Sequence, residues 1–149
     1  MPSISKGVMM SKQVFFTVVL AGLMTGFPVL TSADDFDGSK PLLCASIFSS
    51  ECSAAEQECV TGAPWMINFP VFMEIDFKAK TVSTTKLHEN PRISKISNIS
   101  TLEDGQLSLQ GVDVNFAWSM LVAAETGSMT LSIAGEDTGY LIFGACHPR

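Results

Sequence analysis

Near its end the chain reads "FGACHP", which sets the thiol of Cys146 beside the imidazole of His147. Such a pair suggests nucleophilic catalysis: the ring takes the thiol proton and the thiolate attacks. Neighbouring residues on a strand point to opposite faces, however, so His147 cannot readily reach the adjacent sulfur. A cysteine in a disulfide is not a nucleophile either. The remaining polar candidates carry no sharper chemistry. His88 stands alone in a polar loop, and two histidines this far apart form no zinc motif. Asp34, Asp35 and Asp37 resemble a calcium cluster in composition, but they sit where a mature terminus is expected, which is ordinarily mobile. Glu74 and Asp76 share a strand face that Lys78 and Lys80 continue, the pattern of a solvated charged stripe rather than an acid–base pair. Asn98-Ile99-Ser100 matches a glycosylation acceptor, relevant only in a eukaryotic secretory route. No catalytic residue, metal ligand or cofactor site is therefore assigned, and the chain is read as a non-enzyme.

Apolar candidates remain. Phe116, Trp118 and Met120 recur with period two, and such a row either fills a core or lines a small ligand cavity. Core packing is the favoured reading. Trp65 beside Met66 lies in an irregular stretch and suits an exposed contact.

The cysteines decide how these residues are held. Cys44, Cys52, Cys59 and Cys146 are four in number, and their spacings do not resemble the close pairs of zinc sites. They are read as two disulfides. A helix over Ser53–Cys59 would hold Cys52 and Cys59 about 10 Å apart, too far to bond. A turn is favoured there, giving Cys52–Cys59 locally and Cys44–Cys146 between the first and last strands.

Disulfides require an oxidising compartment, and the start of the chain supplies a route to one. Lys6 and Lys12 precede the uncharged run Val14–Leu30, followed by Thr31 and Ala33 at the small positions of a cleavage site. That is the layout of a secretory signal peptide, expected to span residues 1–33. The run is at the short limit for spanning a bilayer, and it contains Gly22, Gly26 and Pro28. Stable membrane insertion is not expected after cleavage, and the mature domain is residues 34–149. Its basic residues number seven, after loss of two of the nine, against fifteen acidic ones, for a net charge near −8. An acidic surface disfavours nucleic acid and anionic lipid.

The domain itself reads as strands. Val71, Met73, Ile75 and Phe77 alternate with polar residues, as do Leu107 with Leu109 and Met129 with Leu131 and Ile133. Val112, Val114, Phe116, Trp118, Met120 and Val122 fall on one face of what reads as a single strand, 112–123. Glu103–Gly105, Glu125–Gly127 and Gly135–Gly139 are acidic, glycine-bearing turns, and residues 88–91 form a longer loop. Strands are expected near 41–48, 71–77, 80–86, 93–99, 106–110, 112–123, 128–134 and 139–146, with 49–70 as an irregular, cysteine-pinned excursion. The fold class is all-β: an antiparallel meander of seven to eight strands closing into a small up-and-down β-barrel, with a two-sheet β-sandwich as the alternative.

The segments "PLLC" with its two following "EC" dipeptides, "INFPVFMEIDFKAKTV", "LQGV", "AWSM" and "FGACHP" together resemble a family of small exported bacterial proteins of uncharacterised function. These have a cysteine-bearing N-terminal head and a C-terminal strand ending in Gly-x-Cys. The resemblance implies export, to the periplasm or the medium, and brings no activity or site residue. The expected function is a binding module for a small apolar ligand or an envelope partner. The alternative is an inhibitor that blocks a basic secreted or periplasmic hydrolase through the acidic turns Glu103–Asp104 and Glu136–Asp137.

Overall fold

A computed structural model of the chain describes residues 33–86 and 91–149. The expected leader, up to Ser32, and the His88 loop lie outside the described residues. The described chain folds into strands β1 (Leu42–Ser53), β2 (Glu58–Gly62), β3 (Phe72–Asp76), β4 (Thr81–Thr84), β5 (Ile93–Thr101), β6 (Leu107–Asp113), β7 (Phe116–Val122), β8 (Ser128–Ala134) and β9 (Thr138–Pro148). Every pairing is antiparallel, and β1 closes on β9, so eight strands form a closed barrel and β2 is an extra strand on β1. The sandwich alternative falls with that closure.

β1 organises the seam. Along one edge it pairs with β9 from Leu42 to Ser53, through a register shift near Ile47. Along the other edge its first residues pair with β3 and its last with β2. The shift lets the long strand bend, so that Ile47 and Phe48 both face outward while Ser46 and Ser49 are buried. Cys44 and Cys146 are register partners and are joined by a disulfide, as are Cys52 and Cys59.

Inward residues fill the barrel at the end where β1 begins. Leu42, Ile75, Leu107, Leu109, Val122, Met129 and Ile142 are fully buried there or in the middle of the barrel. A single 3-10 turn, Ala33–Phe36, precedes β1, and Phe36 and Phe77 pack against this core as a plug. The β7–β8 turn meets the plug closely: a Cβ on Gly127 would lie 2.4 Å from the Cys146 carbonyl oxygen and 2.5 Å from the Phe36 ring. Its φ of +67° is also one that glycine adopts without cost. The acidic segment before β1 is thus met by Phe36 packing on the core and by the Asp35–Lys40 ion pair at 2.7 Å.

Three local expectations are corrected. The single strand over 112–123 is a hairpin, with Val114 and Asn115 forming the turn between β6 and β7. Asn115 takes φ +69°, a left-handed conformation that asparagine tolerates, and Asp113 Oδ1 accepts the Val114 N–H at 2.8 Å. Val112 and Val114 are consequently 70% and 79% exposed, while Phe116, Trp118, Met120 and Val122 keep the inward face. The irregular excursion of 49–70 contains regular structure: β1 runs on to Ser53 and returns as β2 through a tight turn at Ala54–Gln57. In that turn Ser53 Oγ accepts the Glu56 N–H at 3.3 Å, so the capping-box spacing closes a hairpin and not a helix. Finally, β3 ends at Asp76, and Lys80 sits in the turn at φ +52°, so Lys78 and Lys80 do not continue the face of Glu74 and Asp76.

Candidate functional site

The two ends of the barrel differ. At the end opposite the plug the inward row of β7 rises out of the core: Met120 is buried, Trp118 half-buried and Phe116 38% exposed. Ile133 on β8 lies beside Trp118 and pairs in turn with Tyr140 on β9. β3 begins low on this side, at Phe72, and the wall above it is completed by the segment after β2, which carries a short 3-10 turn, Pro64–Ile67, and then Phe69 and Pro70. Between that segment and the tops of β4 to β8 lies a cleft of about 140 Å³. Phe69, Met73, Phe116, Trp118, Leu131 and Ile133 supply its apolar walls, and Arg92, Ser94 and Asp113 supply its polar rim.

Local packing fixes the cleft's shape. The Trp118 indole donates its Nε1–H to Ser94 Oγ at 2.9 Å, which satisfies the ring's polar edge and sets its orientation. It lies over Gly111, where a Cβ would come within 2.3 Å of the indole and 2.5 Å of the Lys95 carbonyl oxygen. Phe116 meets Tyr140 edge to face with centroids 6.3 Å apart. Tyr140 holds its phenolic proton above the ordinary value of 10, first because it is partly buried, then because the nearby carboxylate of Glu51, its register partner, favours the protonated hydroxyl. The Arg92 charge acts in the opposite direction on the same group.

The rim charges are not equivalent. Asp113 has its carboxylate engaged by the Val114 N–H in the hairpin turn. Arg92 uses its backbone N–H toward Thr84 Oγ1 at 2.9 Å, and its guanidinium is in no ion pair among the described residues.

Elsewhere the structure disperses the chemistry that spacing suggested. Cys146 is 6% exposed and bonded to Cys44, while His147 faces out and its Nδ1 lies 2.6 Å from the Pro148 carbonyl oxygen. Glu74 pairs with Arg149 at 2.6 Å, and Asp76 accepts the Ala79 N–H at 2.8 Å in the turn, so each carboxylate has a structural task. Asp37 accepts from Ser39 and lies below its ordinary range for that reason. No group of three or more metal-ligating side chains gathers among the described residues. Asn98 is exposed on β5 and donates to Gln110 Oε1 at 3.4 Å. The two acidic turns lie at opposite ends of the barrel: Glu103–Asp104 follows β5 at the plugged end, and Glu136–Asp137 precedes β9 at the cleft end. Asp104 is moreover bonded by the Gln106 side chain and backbone, which hold its carboxyl below the usual range. Trp65 is 71% exposed and Met66 52%, on the turn beside β2.

Sequence reasoning identified Phe116, Trp118 and Met120 but favoured core for all three. It missed Phe69, which reaches the cleft from the segment after β2, and Arg92 and Ser94, which reach it from the start of β5. Their common location is set by strand register, and no local pattern encodes it. No protein-family profile matches the chain, and no curated protein is significantly similar to it.

Proposed function

We propose that the protein is an exported, non-enzymatic binding module whose barrel mouth receives a small apolar group. The observation that carries this is the cleft of about 140 Å³ walled by Phe69, Phe116, Trp118, Leu131 and Ile133. An engineered protein cavity of about 150 Å³ accepts benzene, whereas drug-sized ligands need roughly 300 Å³ or more. The cleft therefore suits one ring or one branched side chain, and a long acyl chain is too large for it. Export is supported by the leader pattern and by two disulfides, which persist in oxidising compartments. For the inhibitor reading, the two acidic turns lie at opposite ends of the barrel, so each would have to meet a basic target by itself.

The test uses a Trp65→Phe variant, which leaves Trp118 as the single tryptophan of the two in the chain. Titration with benzyl alcohol is expected to shift Trp118 emission saturably, with Kd on the order of 0.1–1 mM for so small a probe. Filling the cleft by Ile133→Phe, in a protein whose Cys44–Cys146 bond and circular dichroism are intact, is expected to weaken or abolish saturation while Trp118 stays the single reporter. A linear or absent response in the unfilled protein would sink the reading. For export, intact mass of the natively secreted chain is expected to start at Asp34. Retention of residues 1–33 would overturn that part.

A further inference from the structure

Resting on the cleft reading, we infer that the cleft selects an apolar group that carries a carboxylate, with Arg92 as its anion-recognising residue. Among the described residues the cleft has two charged rim residues, Asp113 and Arg92, and the Arg92 side chain is the one in no hydrogen bond or ion pair there. Asp113 is occupied by the turn it closes, its Oδ1 accepting the Val114 N–H. Arg92 lines the cleft, is exposed, and forms no ion pair among the described residues. A guanidinium offers parallel N–H donors that match a carboxylate in a bidentate fork. Because Arg92 is exposed, its charge carries little desolvation cost in the folded state. Ser94 Oγ and Thr84 Oγ1 stand on the same rim and already accept hydrogen bonds, from Trp118 and the Arg92 backbone, which leaves their own hydroxyl protons for an anionic oxygen. The net charge near −8 of residues 34–149 slows an anion's approach without altering the donors it meets on arrival.

The shared chemistry is one ring or branched apolar body bearing a carboxylate at its edge. A free small acid has it, and so does the C-terminal residue of a polypeptide.

Three probes of one shape separate the possibilities: benzoate, benzyl alcohol and benzylamine, each titrated against the Trp65→Phe protein and followed by Trp118 emission and by amide chemical shifts. Benzoate is expected to bind about tenfold more tightly than benzyl alcohol, the scale of one charge-assisted hydrogen-bonded pair. Arg92→Gln is expected to erase that preference in a protein whose circular dichroism and Cys44–Cys146 bond show it folded, and Arg92→Lys to restore part of it. Equal affinity for benzoate and benzyl alcohol, a preference that survives Arg92→Gln, or tightest binding of benzylamine would each overturn the inference while leaving the cleft reading standing. Silence toward all three would overturn both. The source is read from a tripeptide ending in Phe and its C-terminal amide: free peptide tighter than benzoate, with the amide weak, assigns a polypeptide terminus, and free peptide weaker than benzoate assigns a small acid.

Discussion

Gly111 and Tyr140 show what single residues do at the mouth. Gly111 occupies a buried strand position where any Cβ would strike the Trp118 indole and the Lys95 backbone, so the glycine makes the room in which Trp118 lies flat. Gly111→Ala is expected to cost about 1–3 kcal/mol through overpacking and to move Trp118 emission in the Trp65→Phe background, measurable by urea titration and fluorescence. An unchanged midpoint would mean that the indole has space to yield. Tyr140 is the only tyrosine in the chain, so tyrosinate absorbance reports it alone. Its midpoint is expected above 10, lower in Glu51→Gln and higher in Arg92→Gln, because burial and Glu51 hold the proton on and Arg92 opposes them. The folded state then binds this proton more tightly than the unfolded chain does. Its stabilising contribution is complete below the unfolded value of about 10 and is lost as pH rises through the folded midpoint. Tyr140→Phe is expected to flatten that part of the stability profile. None of this was legible residue by residue: Gly111 sits between polar Gln110 and apolar Val112 with no turn signal, and Tyr140 and Glu51 are 89 positions apart in the chain.

At the scale of elements, strands were legible where one face is buried and the other wet, as in β3, β6 and β8, whose inward residues alternate cleanly. β2 escaped because Glu58, Cys59, Val60 and Thr61 are all exposed, and a strand without a buried face leaves no period-two pattern. The β6–β7 hairpin escaped for the opposite reason: Val112 and Val114 prolong the apolar alternation through a turn whose signal is Asn115 alone. Cysteine spacing, by contrast, carried the two bridges, and they differ in what they restrain. Cys44–Cys146 spans 102 positions and joins the strands of the seam, whereas Cys52–Cys59 spans 7 within one hairpin. Chain-entropy reasoning assigns about 4–5 kcal/mol to the first and about 2 kcal/mol to the second. Replacing Cys44 and Cys146 with alanine is expected to lower the denaturation midpoint at least twice as far as replacing Cys52 and Cys59. Equal losses in urea titrations would show that the β1–β2 hairpin, and not the seam, limits unfolding.

Across the whole barrel, restraint is unevenly spread, and the cleft lies where it is weakest. β1 and β9 pair from Leu42–Pro148 to Ser53–Thr138 and are bonded covalently within that ladder. β4 pairs with β5 through Thr81–Lys95, Val82–Ser94 and Ser83–Ile93, extended by the Thr84–Arg92 and Lys80–Ile96 backbone bonds at its two ends, a far shorter ladder than the seam, and its four residues are all merely half-buried. Val82, Ser83 and Thr84 are also cleft residues, as are Arg92 and Ser94 across from them. Closure of the sheet was legible from the number of meandering strands, but this asymmetry depends on how short β3 and β4 are, which the alternating pattern of 71–86 concealed. Local opening follows the least-protected ladder, so amides of β4 are expected to exchange with solvent faster than those of β1, β8 and β9. A saturating concentration of benzyl alcohol, which bridges the walls that β4 and β5 contribute, is expected to slow exchange at Val82–Thr84 and Ser94 while leaving β8 amides that open only by global unfolding slowed by no more than the binding free energy. Hydrogen exchange resolved by residue checks both statements. If β4 exchanges as slowly as β9, the barrel has no weak wall; if ligand slows every strand equally, the cleft is rigid and occupancy stabilises the molecule only as a whole.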